Sequence, residues 1–183
     1  MKVRVETLPP EGVRLSFRLA AENLPGLGEL AAAEGCAFTG PARVEADVRP
    51  RAGVFLVSGR LRIPVDYRCS RCLAPFAGEL TADFDVSFRS DAGEEALPAD
   101  GEVEIRSEEM GTISFDGDEI DLGRFAEEQI VENFPMQPVC SDGCKGICAG
   151  CGADLNREEC SCSGPGVDPR LAVLERLKGR LPK

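Results

Sequence analysis

Hydrophobic and polar positions alternate over several short stretches of the chain. Residues 2–7 and 13–19 have this pattern, the second with Val13, Leu15, Phe17 and Leu19 on one side and Arg14, Ser16 and Arg18 on the other. A period of two is that of half-buried strands. The Pro9-Pro10 pair separates the two. Residues 43–49, 54–57 and 60–67 read as further short strands, broken by Pro50-Arg51-Ala52-Gly53 and by Ser58-Gly59, the spacing of an antiparallel meander. Residues 79–89 alternate again, with Leu80, Ala82, Phe84, Val86 and Phe88 on one face. Shorter β-type runs follow at 102–106 and 112–115.

Helical periodicity is rarer. Leu27, Leu30 and Ala33 predict a short helix flanked by Pro25 and Gly35. A second helix is expected to begin near Asp121, with Leu122, Phe125, Ile130 and Phe134 as its apolar face and Pro135 as its stop. A third is marked by Asp168 as N-cap, Pro169 at the first helical position and a stripe of Leu171, Leu174, Leu177 and Leu181. Residues 91–101 are acidic and without period, the pattern of an exposed loop.

These elements predict an α+β protein: an antiparallel sheet or partly closed barrel with one helix, followed by a cysteine-rich segment and a terminal helix. The expected organisation is a body over residues 1–138, with a Cys-x-x-Cys pair at a hairpin tip, and a segment over 139–183 packed on it. At 183 residues and 43% hydrophobic content, a real core is affordable.

Charge narrows the partners. The net charge is −11, and five basic residues against one acidic between Arg170 and Lys183 make that tail +4, so the remainder carries −15. An acidic body favours basic partners. With no Trp and one Tyr, stacking of bases on aromatic rows has little to work with. No run of eighteen apolar residues occurs, and the N-terminus alternates in charge instead of showing a basic then apolar leader. A cytoplasmic location with no membrane contact is therefore expected, in a reducing compartment where paired cysteines more often bind metal than form disulfides.

Eight of the nine cysteines fall into four local pairs: Cys69 with Cys72, Cys140 with Cys144, Cys148 with Cys151, and Cys160 with Cys162. Two thiols two residues apart in a tight turn can aim at one ion while backbone N–H groups stabilise the thiolates. Eight thiols supply two four-cysteine sites, closed and structural because no position is left for water or substrate. Two zinc ions are the preferred cofactor. Spacing alone does not separate zinc from an iron–sulfur cluster. A bridge between Cys160 and Cys162 would be strained, and a thioredoxin-like role for Cys69 and Cys72 would need a helix that Pro75 interrupts. Cys36 stands alone and reads as a small buried hydrophobe.

Nothing in the sequence points to catalysis. Histidine is absent, and no phosphate loop of P-loop or dinucleotide spacing occurs. A non-enzymatic protein is expected.

The run Cys69-Ser70-Arg71-Cys72-Leu73-Ala74-Pro75-Phe76, then Cys140 to Cys144, then the stretch from Lys145 to Asn156 and the ending Asp168-Pro169-Arg170-Leu171, resembles the YceD family of large-subunit ribosomal RNA accumulation proteins. Ile147, Ala149 and Asp154 depart from the pattern, which has Leu, Pro and Asn there. None of these changes removes a thiol. The resemblance implies a bacterial factor promoting accumulation of large-subunit ribosomal RNA. It also implies a pairing, since some relatives keep the first two cysteine pairs and lack the last two. Cys69, Cys72, Cys140 and Cys144 would then hold one ion and Cys148, Cys151, Cys160 and Cys162 the other, as separable sites. The expected partner is a basic ribosomal protein or ribosome-assembly factor. Direct ribosomal RNA contact through Arg170, Arg176, Lys178 and Arg180, aided by Arg68, Arg71 and Lys145, is the alternative, and a thiol/zinc redox switch is another.

Overall fold

The computed structural model describes residues 1–90 and 111–162. The acidic stretch at 91–101, the strand expected at 102–106 and the terminal helix from Asp168 lie outside the described residues. The described residues form two compact units, one within Met1–Tyr67 and Phe76–Met136, the other of Arg68–Pro75 with residues 137–162. The Cys69 and Cys72 loop, inserted in sequence between two strands, thus groups with the cysteine-rich segment.

The first unit is built on a mixed sheet. Its strands are β1 (Lys2–Arg4), β2 (Val13–Leu19), β3 (Ala37–Phe38), β4 (Ala42–Arg51), β5 (Val54–Arg68), β6 (Pro75–Ser90), β7 (Thr112–Phe115) and β8 (Glu119–Asp121), with helix α1 (Pro25–Glu34) between β2 and β3 and helix α2 (Leu122–Glu132) after β8. The main sheet runs β2-β4-β5-β6-β7, with β3 on β5, and β1 pairs with β8 in a separate two-stranded sheet. An expectation of antiparallel pairing throughout is corrected by β6 and β7, which run parallel from Ser87 opposite Thr112 to Ser90 opposite Phe115. A parallel pair needs a crossover of a dozen or more residues. About twenty residues of chain between these two strands make that possible.

Two local readings also change. Residues 2–7 do not form one strand, because after Arg4 the chain turns into a 3-10 turn at Val5–Thr7. The expected break at Ser58-Gly59 does not occur: β5 is continuous, and its inward positions Val57, Leu61, Ile63 and Val65 are all buried. Gly59 is there because a side chain does not fit. A Cβ on it would lie 2.1 Å from the Glu45 carbonyl oxygen and 2.9 Å from Phe84, so this glycine marks a close backbone approach rather than a turn. The true turn is Ala52-Gly53, both with positive φ (48° and 87°), as a two-residue hairpin of the primed type requires.

The core lies between the inward face of the sheet and the helices. Val44, Ala46 and Val48 of β4 and Leu80, Ala82, Phe84 and Phe88 of β6 face Leu122, Phe125, Ala126 and Ile130 of α2 within one buried cluster. The Phe125 ring stands edge-on to Phe84 (5.3 Å) and Phe88 (5.5 Å), the geometry favoured by the ring quadrupole. Helix α2 starts at Asp121, whose carboxylate accepts from the Gly123 and Arg124 N–H groups. Helix α1 has no side-chain cap of its own. The Glu127 carboxylate of α2 instead accepts from the Gly26 N–H in its first turn, which joins the two helices. Cys36 is half-buried against the same core.

Candidate metal centre

The second unit is organised by thiols. The Sγ atoms of Cys69, Cys72, Cys140 and Cys144 lie within 4.8 Å of one another, and so do those of Cys148, Cys151, Cys160 and Cys162. Cys69 is 3.8 Å from Cys144 and Cys72 is 3.7 Å from Cys140. A tetrahedral ion with metal–sulfur bonds of about 2.3 Å has edges of about 3.8 Å. The first group therefore has the dimensions of a single-ion, four-thiolate site. All nine cysteines are free. Either group could hold one metal ion, and the all-sulfur donor set fits a thiophilic one such as zinc. A multinuclear iron–sulfur cluster, whose cysteines bind different metal atoms, would hold its sulfurs further apart.

The sequence folds into this arrangement through two matching loops. In the first, the Leu73 N–H donates to the Cys69 carbonyl and the Cys69 N–H donates to the Ala74 carbonyl, both at 2.9 Å. In the second, the Gly152 N–H donates to the Cys148 carbonyl and the Cys148 N–H to the Ala153 carbonyl, both at 2.8 Å. The residue after each second cysteine has positive φ, 76° for Gly152 and 60° for Leu73. Glycine adopts this at no cost, whereas leucine there carries strain of about 1–2 kcal/mol. The remaining cysteines are brought in by the chain after Gln137, where the Ser70 N–H donates to the Pro138 carbonyl at 2.8 Å.

Backbone donors set the electrostatics. The Cys69 sulfur accepts from the Arg71 and Cys140 N–H groups at 3.4 Å, and the Cys148 sulfur accepts from that of Gly150 at 3.4 Å. Such donors favour the charged form. Cys69 is drawn down to about 6, first by the Cys72 N–H and further by those of Cys140 and Arg71, against the effect of burial. Cys148 is drawn down to about 6 by the N–H groups of Cys151 and then Gly150. Their neighbours move the other way. Cys162 is pushed up to about 12 by the nearby Cys151 and Cys148 thiols. Cys72 is also pushed up to about 12, because burial and the thiols of Cys69, Cys144 and Cys140 outweigh the Ala74 N–H that lowers it. Cys69 and Cys148 thus lean toward the thiolate while Cys72 and Cys162 hold their protons, so an entering ion must displace protons, and its affinity falls as the pH falls.

Residues outside the eight thiols hold the site together. The Arg71 guanidinium donates to the carbonyls of Asp142 and Cys144, each at 3.1 Å. The Ile147 N–H donates to the Arg71 carbonyl at 3.1 Å. Gly146, with φ of 75°, passes so close that a Cβ would lie 3.0 Å from that carbonyl oxygen. Asn156 ties the first group to the loop that follows Cys151: its side-chain N–H donates to the Cys144 sulfur at 3.4 Å and to Asp154 at 2.7 Å, and its oxygen accepts from the Lys145 N–H at 2.8 Å. The same loop also holds the second group's first cysteine, since the Cys148 N–H donates to the Ala153 carbonyl at 2.8 Å. Sequence reading had no signal for Arg71 as an internal brace or for Asn156 as a link, although the Asp154-x-Asn156 spacing is one that favours a side-chain-stabilised turn.

Second-sphere donors of this kind typically change metal affinity by about 10–100-fold. Asn156→Ala is accordingly expected to weaken the first group by about that factor although Asn156 is not a ligand, a change that competition with a chromophoric chelator would measure. The groups also differ in cover. Three of four thiols are buried in the first, whereas Cys151 and Cys162 are exposed and Cys148 and Cys160 half-buried in the second. The basic residues Arg170, Arg176, Lys178 and Arg180 lie outside the described residues.

Comparison with known proteins agrees with these motifs. The family model described as "Large ribosomal RNA subunit accumulation protein YceD" matches residues 57–178. A chloroplastic protein of Zea mays named large ribosomal RNA subunit accumulation protein YCED homolog 1 is 29% identical over 160 residues, covering 76% of this chain and 53% of that protein. An uncharacterized protein of Mycobacterium tuberculosis is 30% identical over 130 residues, covering 68% of this chain and 56% of its own length. The chain thus spans little more than half the length of the curated relatives it matches. No solved structure matches. With two thirds of its length matched by the model, including all eight paired cysteines, the chain belongs to the YceD family of large ribosomal RNA subunit accumulation proteins.

Proposed function

We propose that this chain is a non-enzymatic ribosome-biogenesis factor that promotes accumulation of large-subunit ribosomal RNA in the cytoplasm, and that each four-thiol group holds a structural zinc ion. The observation that carries this reading is the convergence of four thiols in each group. Four sulfurs would complete the tetrahedron of a zinc ion and leave no coordination position for a reacting water or substrate. The family name supplies the biological direction. Zinc would contribute folding free energy to a segment that has few apolar residues to bury.

The chain then acts through contacts. A net charge of −11 favours a basic ribosomal protein or assembly factor as partner. Among the described residues no helix is long and apolar enough to cross a membrane. Depletion of the protein in its own cells is expected to lower large-subunit ribosomal RNA relative to small-subunit RNA, with recovery on re-expression of the wild-type chain. Levels that stay unchanged on depletion would refute the reading.

A further inference from the structure

The solvent face of the main sheet carries a charge pattern that ion pairing leaves open. In the registers of β2 with β4 and β4 with β5, Arg18 stands opposite Arg43 and Arg43 opposite Arg62. Three guanidinium groups thereby form one row across three strands, and all three residues are exposed. Directly opposed like charges destabilise a sheet. The same face shows the usual remedy two to four residues away, where Arg14 pairs with Asp47 at 3.1 Å and Arg60 pairs with Asp83. Among the described residues no hydrogen bond or ion pair joins Arg18, Arg43 or Arg62 to an acid. Acids on the same face include Glu45, two residues from Arg43, Asp66, four residues from Arg62, and Asp83, which feels Arg62 but is paired with Arg60.

A row of unneutralised arginines in a chain of net charge −11 calls for an anion with repeated charges. Neighbouring strands lie about 4.8 Å apart, so the three forks span about 10 Å, a reach that covers successive phosphates of one nucleic acid strand. Guanidinium groups bind phosphate oxygens bidentately. A depression of about 630 Å³, whose charged lining is Arg14, Glu45, Asp47, Arg60, Arg62 and Asp83, takes in the Arg62 end of the row, leaving room for the bases of the same strand. The scarcity of aromatic residues fits contact through the backbone rather than through stacked bases.

We propose that Arg18, Arg43 and Arg62 form a docking surface for the phosphodiester backbone of single-stranded RNA. This rests on the reading that the chain serves large-subunit ribosomal RNA, and it assigns the RNA contact to the sheet instead of to the C-terminal tail.

The test uses the full chain and an R18Q/R43Q/R62Q variant, titrated with a single-stranded fragment of large-subunit ribosomal RNA between 50 and 200 mM salt. Loss of three phosphate contacts is expected to make the slope of log K against log salt shallower by about 2, with at least a tenfold loss of affinity at the low-salt end. The thermal midpoint is expected to hold or rise, because opposed like charges have been removed, which separates this result from misfolding. Unchanged affinity and slope in the variant would overturn the proposal, as would absence of RNA binding by the wild-type chain. Displacement of the RNA fragment only by acidic peptide, and not by a second RNA, would overturn it in favour of a protein ligand. The outcome is distinguishable from that of depletion: an unaltered salt slope with the ribosomal RNA defect intact removes this surface alone, whereas unchanged RNA levels on depletion remove the functional reading and leave a phosphate-binding face.

Discussion

Cys69→Ser is expected to empty the first metal site and to unfold the segment that it organises. Cys69 is fully buried, lies 3.8 Å from Cys144, and takes N–H donors from Arg71 and Cys140. Those donors are aimed at a thiolate. Serine keeps the shape but offers an alcohol that stays protonated at neutral pH, so the ion loses a ligand and the two N–H groups face a neutral acceptor. Structural zinc supplies about 10–16 kcal/mol to folding in small zinc-binding peptides, and a three-thiol remnant forfeits a large part of that. The effect should reach the second group. Asn156 donates to Cys144, and the Leu155 N–H donates to the Gly146 carbonyl at 3.0 Å. The second ion is therefore expected to remain bound but more weakly, by about the tenfold at the low end of second-sphere effects. Metal content after gel filtration, together with chelator competition, would check both parts: one ion per chain instead of two, and a lower affinity for the one retained. A second ion held with unchanged affinity would contradict the coupling.

Gly59→Ala is expected to destabilise the first unit by about 3 kcal/mol, the upper range for forced overpacking. A single methyl group would sit 2.1 Å from the Glu45 carbonyl oxygen and 2.9 Å from both the Ala46 Cα and the Phe84 ring. Two of these three neighbours are backbone, in a strand paired with β5 through Ala46 opposite Gly59. Backbone in a ladder cannot rotate away as a side-chain tip can, so β4 must separate from β5 or Phe84 must leave its place against Phe125. Urea unfolding would measure the loss as a lower midpoint with an unchanged slope. A shift below about 0.5 kcal/mol, the level of a neutral surface change, would mean that the strands yield and that the close approach is not required.

The alternating stretches at 13–19, 43–49 and 79–89 were legible because one face of each strand meets a core and the other meets water, which writes a period of two into the sequence. Helix α2 was legible for the same reason at a period of 3.6. Gly59 misled because glycine marks both turns and close approaches, and only the partner strand distinguishes them. The parallel pairing of β7 and the joining of β1 to β8 had no local signal, since both depend on where distant chain returns. The thiol groups were readable because a metal demands its ligands at short fixed spacings. Their supports were not, because Arg71 and Asn156 work through carbonyls and a single sulfur whose positions exist only in the folded chain. The arginine row likewise required the registers of three strands.

Mass measurement of the intact chain under non-denaturing conditions, purified without added metal or chelator, tests the central claim most directly. Two closed four-thiol sites predict the mass of the reduced chain plus two zinc ions, with the eight paired cysteines shielded from alkylation until the metal is removed. A chain carrying one ion or none, or one in which the paired cysteines are found as disulfides, would contradict it.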